Sequence, residues 1–414
     1  MALASLADIR QQFPALSRKI GERSVAHFDG PAGSQVPQRV ADAVSRYLIE
    51  TNANRGAPFA TSQESDMLLE DAHEVLADFL GATDPGTIVF GANMTTLTMH
   101  LSRSLSRTWK TGDEFLVTRL DHDANVTPWT LAARDAGVVV KSIAIHPEDC
   151  TLDLDDFRQK LSERTRLVAV GYASNAVGTI NPLAEMIADA HGVGAEVFVD
   201  AVHFAPHGSI DVTELDCDFL AVSAYKFFGP HVGVLYGKRN RLNTLQPYKL
   251  RPAPDSLPGC WMTGTQSHEG IVGAAEAVRY LEWLGQTAFG VSGSRREILV
   301  STMDAVSQVE QKQCVKLLAG LADLPRVRVW GITDPARMNE RVPTVSITHE
   351  LQTPQELATK LAERGLFCWP GNHYALPLTE TLGLEPHGTL RIGLLHYNSS
   401  EEIERLLVAL AEIV

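Results

Sequence analysis

The sequence predicts an α/β protein, with a large domain on a mostly parallel sheet and a smaller α+β domain after it. Three observations carry that reading. The chain has 414 residues, more than one ordinary core holds, so two domains are expected. Short continuous apolar runs alternate with amphipathic stretches through the middle of the chain, as in strands buried on both faces between helices. A Pro-rich stretch, Pro247 to Pro258, then breaks the alternation, and the remainder mixes helix and strand less regularly.

The elements follow in order. Thr87 to Phe90 is a short apolar strand, and Gly91-Ala92-Asn93 opens a helical pattern that runs to Leu105. Glu114 to Thr118 is a strand, Val126 to Asp135 a helix and Val138 to Ile143 the next strand. Leu167 to Gly171 is a strand, and a polar loop lies at Ser174 to Asn181. Leu183 to His191 is helical, and Glu196 to Val199, Phe219 to Ser223 and Val232 to Tyr236 are strands. Ile271 to Leu284 is a strongly amphipathic helix. Arg341 to Ile347 and Thr389 to Leu394 read as strands, and Glu401 to Ile413 as a terminal helix. The expected divisions are an arm at 1–25 that packs on the small domain, a large domain at 26–263, and a small domain at 264–414 that includes the linking helix.

Bulk properties narrow the function classes. A net charge of −14 argues against a nucleic-acid partner, which needs a basic face. No apolar stretch is long enough to span a bilayer, and Met1 to Pro14 lacks the apolar core of a signal peptide. Five cysteines (Cys150, Cys217, Cys260, Cys314, Cys368) are scattered without a CxxC pair. That fits a reduced, cytoplasmic protein without a disulfide framework or metal site.

One spacing points to specific chemistry. Lys226 follows the apolar run Phe219 to Val222, and Asp200 ends the run Val197-Phe198-Val199. Two strand ends, one offering a carboxylate and the next an amine, suit pyridoxal phosphate. The amine condenses with the cofactor aldehyde, and the carboxylate pairs with the protonated pyridine nitrogen so that the ring accepts electrons. Most lysines are solvated, but one flanked by an apolar strand and Phe227-Phe228-Gly229-Pro230 is poorly placed for that. Desolvation there lowers its pKa, which suits a nucleophile. Asp200 alone also fits a turn cap; its weight comes from the pairing.

Other segments supply the remaining parts. Phe90 to Thr96 is a small-residue strand-to-helix turn whose backbone amides could cradle a phosphate, although Asn93, Thr95 and Thr96 are also ordinary helix caps. Ser223, three residues before the lysine, is a second phosphate donor. His203, three after Asp200, can reach the phosphate or the ring oxygen, or be a hydrogen-bonded core histidine. His122 can stack on the ring and assist proton transfer, or simply start a helix. Asn175 can donate to the ring hydroxyl oxygen or form an Asx turn. Arg391, in an apolar strand, suits a substrate carboxylate or a structural ion pair. Gln35, Asn54, Arg55, His373 and Tyr374 are candidate pocket residues.

Taken together, these segments resemble the class V aminotransferase superfamily, in its cysteine desulfurase and selenocysteine lyase branch. The resemblance runs from about Ala26 to Val414. It rests on Asp121 to Trp129, Ser174 to Thr179, Val199 to His203 and Ser223 to Pro230, with Arg391 followed by His396-Tyr397-Asn398. It implies the aspartate aminotransferase-like fold (fold type I) and a pyridoxal 5'-phosphate enzyme with Lys226 as the Schiff-base lysine, Asp200 as pyridine partner, His122 as stacker and Asn175 as hydroxyl donor. It further implies Ser223 and Asn93-Met94 at the phosphate, Arg391 at the substrate carboxylate, and a homodimer in which Gly264-Thr265 reaches the partner subunit's phosphate.

The departures are as informative. Desulfurases carry a mobile cysteine that takes sulfur as a persulfide, and in Gly371 to Pro377 the matching position is Tyr374. Cys368, between Phe367 and Trp369, reads as inert core. His203 replaces the usual glutamine, and Tyr225 the usual histidine. The resulting expectation is a Cα/Cβ lyase acting on an L-amino acid without a protein persulfide. Racemisation, transamination or decarboxylation comes next, then persulfide-forming desulfuration. A non-catalytic homologue is the competing class.

Overall fold

Each short apolar run of the first domain becomes a strand of one sheet. The computed structural model describes residues 3–413. Its strands are β1 (Ile88–Gly91), β2 (Glu114–Thr118), β3 (Val139–Ile143), β4 (Thr165–Gly171), β5 (Glu196–Asp200), β6 (Phe219–Ser223) and β7 (Gly233–Gly237). They lie in the order β1-β7-β6-β5-β4-β2-β3. Only β7 runs against its neighbours; the other pairings are parallel.

Alternation along each strand divides the apolar residues between two helical layers. Val197 and Val199 face a core shared with α1 (Ala60–Leu80), α4 (Leu183–Gly192) and α5 (His268–Ala288). Phe198 faces the opposite core, built with α2 (Met94–Ser106) and α3 (Thr127–Ala136). Sheet strands buried on both sides explain why they read as unbroken apolar runs.

The second unit is an antiparallel sheet of β8 (Val327–Trp330), β9 (Thr344–His349), β10 (Trp369–Gly371) and β11 (Thr389–Gly393), in the order β8-β9-β11-β10. Its core is closed by α6 (Arg295–Ala322), α7 (Pro354–Ala362) and α8 (Ser400–Ile413).

Packing moves two expected boundaries. Helix α5 buries Ile271, Val278 and Leu284 in the core of the large sheet rather than with the small domain. Helix α6 then crosses over, with Leu299, Met303 and Val306 in the first core and Cys314, Leu317 and Leu321 in the second. At the other end, Ala26 and His27 pair in parallel with Leu366 and Phe367, so these two residues sit with the small unit.

The described part of the arm touches both units; residues 1 and 2 lie outside the described residues. Ile9, Phe13 and Leu16 enter the large core, while Arg10 bonds Glu402 at 2.8 Å and the Tyr397 carbonyl at 2.6 Å. The strand expected from Arg341 begins only at Thr344, because the backbone of Arg341 and Val342 pairs with Thr179 and Gly178 instead of with the sheet. No described helix is long and apolar enough to cross a membrane.

Candidate active site

The carboxyl ends of the parallel strands open onto a cavity of about 580 Å³, the place where open α/β sheets bind ligands. Asp200 ends β5, with Gly171 and Ala221 as its register partners. Small neighbours leave its carboxylate open to the cavity. Ser223 ends β6, and the next turn, Ala224–Lys226, carries the lysine into the same cavity.

Both groups are buried, and each is pushed toward its neutral form. Burial lowers the Lys226 amine to about 7, aided by the Arg391 cation and opposed by Asp200. Burial raises Asp200 to about 6, against the backbone bond from Val202 N–H (2.9 Å) and the attraction of Lys226. The amine donates to the Pro31 carbonyl and lies 5.0 Å from the Tyr225 ring centre. An amine near neutrality is the state needed for nucleophilic attack.

His122 follows β2 and lines the cavity. Its Nδ1 accepts from Ala124 N–H at 3.0 Å, so in the neutral ring Nε2 carries the hydrogen. Burial, with Lys226 and Arg391 adding to it, lowers the imidazole to about 4. Its ring stacks on Tyr374, with centres 5.4 Å apart and planes 22° from parallel. Beside it stands Asp121, which also lines the cavity and whose role the sequence pattern does not reveal. Its carboxylate accepts from Gly171 N–H (2.9 Å) and Asn125 Nδ2 (2.8 Å), and burial next to Asp200 raises it to about 7. Asp121 lies three residues beyond the end of β2, so no strand-end signal marks it as one marks Asp200.

The phosphate end is formed where α2 begins. Asn93 caps the helix, accepting from Thr96 N–H at 2.8 Å, and Met94 N–H donates to Ser223 Oγ at 3.0 Å. The turn lies so close on β7 that a Cβ at Gly233 would come within 2.4 Å of the Asn93 backbone. A helix N-terminus with a serine hydroxyl at its first amide is an anion seat. Tyr225 and His231 stack at 5.0 Å and both line the cavity. Thr265 does not reach this cavity in its own chain. It is exposed in a neighbouring depression that shares Ala92, Thr96 and His231.

Asn175 and His203 also line the cavity. Asn175 Nδ2 donates to the His373 carbonyl at 2.8 Å, and its Oδ1 is buried without a partner. His203 Nε2 meets Thr344 Oγ1 at 2.9 Å, and its Nδ1 likewise has no partner. Behind Asn175 lies Arg391, buried, with Nη1 on the Asn175 carbonyl at 2.8 Å and Nε unpaired. Desolvation brings even this guanidinium down to about 9. His373 is buried beside it, its Nε2 2.9 Å from Thr389 Oγ1.

Arg391, His373 and Tyr374 lie behind or beside the cavity and do not line it, and three further candidates sit away from it. Arg55 is on the surface, paired with Asp66 at 2.7 Å. The Asn54 carbonyl accepts from Ser62 Oγ at 2.6 Å, and Gln35 N–H is 3.3 Å from the Tyr397 hydroxyl. None of them lines the cavity of its own chain.

The residues present fit pyridoxal phosphate on geometry alone. A buried amine and a buried carboxylate share one cavity with an anion seat and two unpaired polar atoms. Fold and site together define a pyridoxal-phosphate enzyme of fold type I. Within that class the chain belongs to the class-V aminotransferase family, whose family model matches residues 26–406. It is 32% identical over 427 residues to a probable cysteine desulfurase of Vibrio cholerae, covering 100% of this chain and 99% of that protein. It is 33% identical over 422 residues to the aminotransferase-like protein FGM3 of Gibberella zeae, covering 99% and 98%. The apo structure of a cysteine desulfurase from Thermococcus onnurineus superposes with a TM-score of 0.88 at 28% identity, covering 100% of this chain and 99% of that one. The protein is thus a cysteine desulfurase-like, pyridoxal-phosphate-dependent enzyme.

Proposed function

We propose that the enzyme is a lyase acting at Cα and Cβ of an L-amino acid, releasing the side-chain group by elimination without a protein persulfide. The observation that carries this reading is Tyr374, which stands on His122 at the position where a sulfur-accepting cysteine would be expected. A phenol cannot form a persulfide. None of the five cysteines lines the cavity. Burial pushes the Cys368 thiol far above its ordinary range, so it holds its proton and is a poor nucleophile.

When bound, the cofactor supplies an electron sink for the substrate α-carbon. Asp200 sits where a carboxylate would pair with the pyridine nitrogen, and that positive charge would hold it ionised. Lys226, near neutrality at its Nζ, is able to take and return a proton. His122 offers an Nε2–H from a ring kept neutral by burial. Arg391 Nε, buried and unpaired, is a donor for the substrate carboxylate. Asn93, Met94 and Ser223 would hold the phosphate. The retention of this whole set supports an enzyme over a retired scaffold.

We further propose a homodimer in which Thr265 serves the partner's site, because Thr265 is exposed and separated from the cavity of its own chain. We also propose a cytoplasmic location, supported by five cysteines that are all free.

The test is a panel of L-amino acids with detection of sulfide, keto acid, ammonia and the D-isomer. Keto acid with ammonia and the released side-chain group supports the lyase reading. Formation of the D-isomer alone, or of keto acid only with an amino acceptor, rejects it.

A further inference from the structure

The turn Asn372 to Tyr374 is tied to both loops that carry ring-contact residues. Asp123 N–H donates to the Tyr374 carbonyl at 2.7 Å, and Asn175 Nδ2 donates to the His373 carbonyl at 2.8 Å. The His373 ring is tied as well, through a chain whose direction is fixed. The Ala176 carbonyl can only accept, so Ser346 Oγ donates to it at 2.6 Å. Ser346 Oγ then accepts from Thr389 Oγ1 at 2.9 Å, and Thr389 Oγ1 accepts from His373 Nε2–H at 2.9 Å.

His373 and Tyr374 both have φ of +57°, a left-handed conformation that such residues keep only where their surroundings hold it. Tyr374 N–H is also held, by Asn372 Oδ1 at 3.1 Å. The phenol ring is therefore presented from a fixed backbone, 5.4 Å from the His122 ring and 22° from parallel. That separation and tilt suit an offset stack. His122 is pinned a second time by Ala124 N–H on Nδ1 at 3.0 Å. One pin sets the tautomer and the other bears on the plane of the ring.

We propose that Tyr374 is a positioning residue whose ring braces the His122 imidazole in the orientation that faces the cofactor. This deepens the persulfide-free reading on which it rests: the residue that replaces a sulfur acceptor supports the ring-contact histidine instead. Tyr374 is 72% exposed, so its truncation opens no hole in the core.

The experiment compares Tyr374→Phe and Tyr374→Ala as cofactor-loaded enzymes. It follows the visible circular dichroism of the bound cofactor and the separate kcat and KM. With Tyr374→Ala, kcat is expected to fall about tenfold and the dichroic band to lose about half its amplitude, while KM stays within about twofold. With Tyr374→Phe, which keeps the stack, all three stay within about twofold of the parent. A Tyr374→Ala enzyme with the parent's band and kcat overturns the proposal. So does a Tyr374→Phe enzyme as impaired as Tyr374→Ala, since that assigns the role to the hydroxyl. Detection of extra sulfur on the protein during turnover would sink the lyase reading instead, whatever the dichroic band shows.

Discussion

Lys226 should load its cofactor at neutral pH far faster than an ordinary lysine could. A lysine at its usual pKa of 10.5 is free amine in only about one molecule in 3,000 at pH 7. Lowered to about 7, as burial and Arg391 lower it, the amine is free in about half. The gain in reactive amine is on the order of a thousandfold. The assay mixes cofactor-free protein with pyridoxal phosphate and follows the visible absorbance from about pH 5.5 to about pH 9.5. The loading rate should climb with pH through a midpoint near 7. Arg391→Leu removes a cation that disfavours the ammonium, so the midpoint should rise. Asp200→Asn removes the opposing attraction, so the midpoint should fall. A midpoint above about 9, or one that falls in Arg391→Leu, would refute the reasoning.

The same burial makes stability depend on pH. The folded pKa lies below the unfolded one, so between about 7 and 10.5 the unfolded chain binds the extra proton and the cofactor-free protein gains stability as pH rises. Chemical unfolding should show a slope of up to about 1.4 kcal/mol per pH unit there, absent in Lys226→Met. Arg391→Leu should raise KM for the amino acid by about tenfold to a hundredfold, as expected for loss of a charge-assisted bond, while the cofactor still loads; an unchanged KM removes its anchor role. Cys368→Ser should leave turnover within about twofold, and loss of activity with an intact fold would restore a thiol mechanism. Gly178 has φ of +83°, and a Cβ there would come within 2.6 Å of the Val342 and Thr344 carbonyls. Thermal unfolding of Gly178→Ala should accordingly show a loss on the order of 3 kcal/mol.

The strands of the large sheet were legible because burial on both faces leaves unbroken apolar runs. Glu114–Thr118 and Phe219–Ser223 match to the residue. The site was legible for a related reason: Asp200 and Lys226 are charged residues at the ends of such runs. Helices Ala60–Leu80 and Arg295–Ala322 were not read. The second bridges two cores, so its apolar residues follow no single stripe from end to end. Arg341 read as strand because apolar residues follow it, yet its backbone pairs with Thr179 instead of with the sheet. Contacts made across such sequence distances leave no local pattern. Arg55 and Thr265 belong to the same difficulty, because their places depend on surfaces that spacing does not describe.

The central claim is turnover at a pyridoxal-phosphate site without sulfur passing through the protein. The most direct measurement is the intact mass of the enzyme, quenched during steady turnover of a sulfur-containing L-amino acid that the panel shows it to cleave, L-cysteine first, and analysed without reductant. The account predicts released sulfide and a protein mass unchanged from that of the resting enzyme. A fraction carrying one added sulfur, located on Cys368 and lost on reduction, would contradict it.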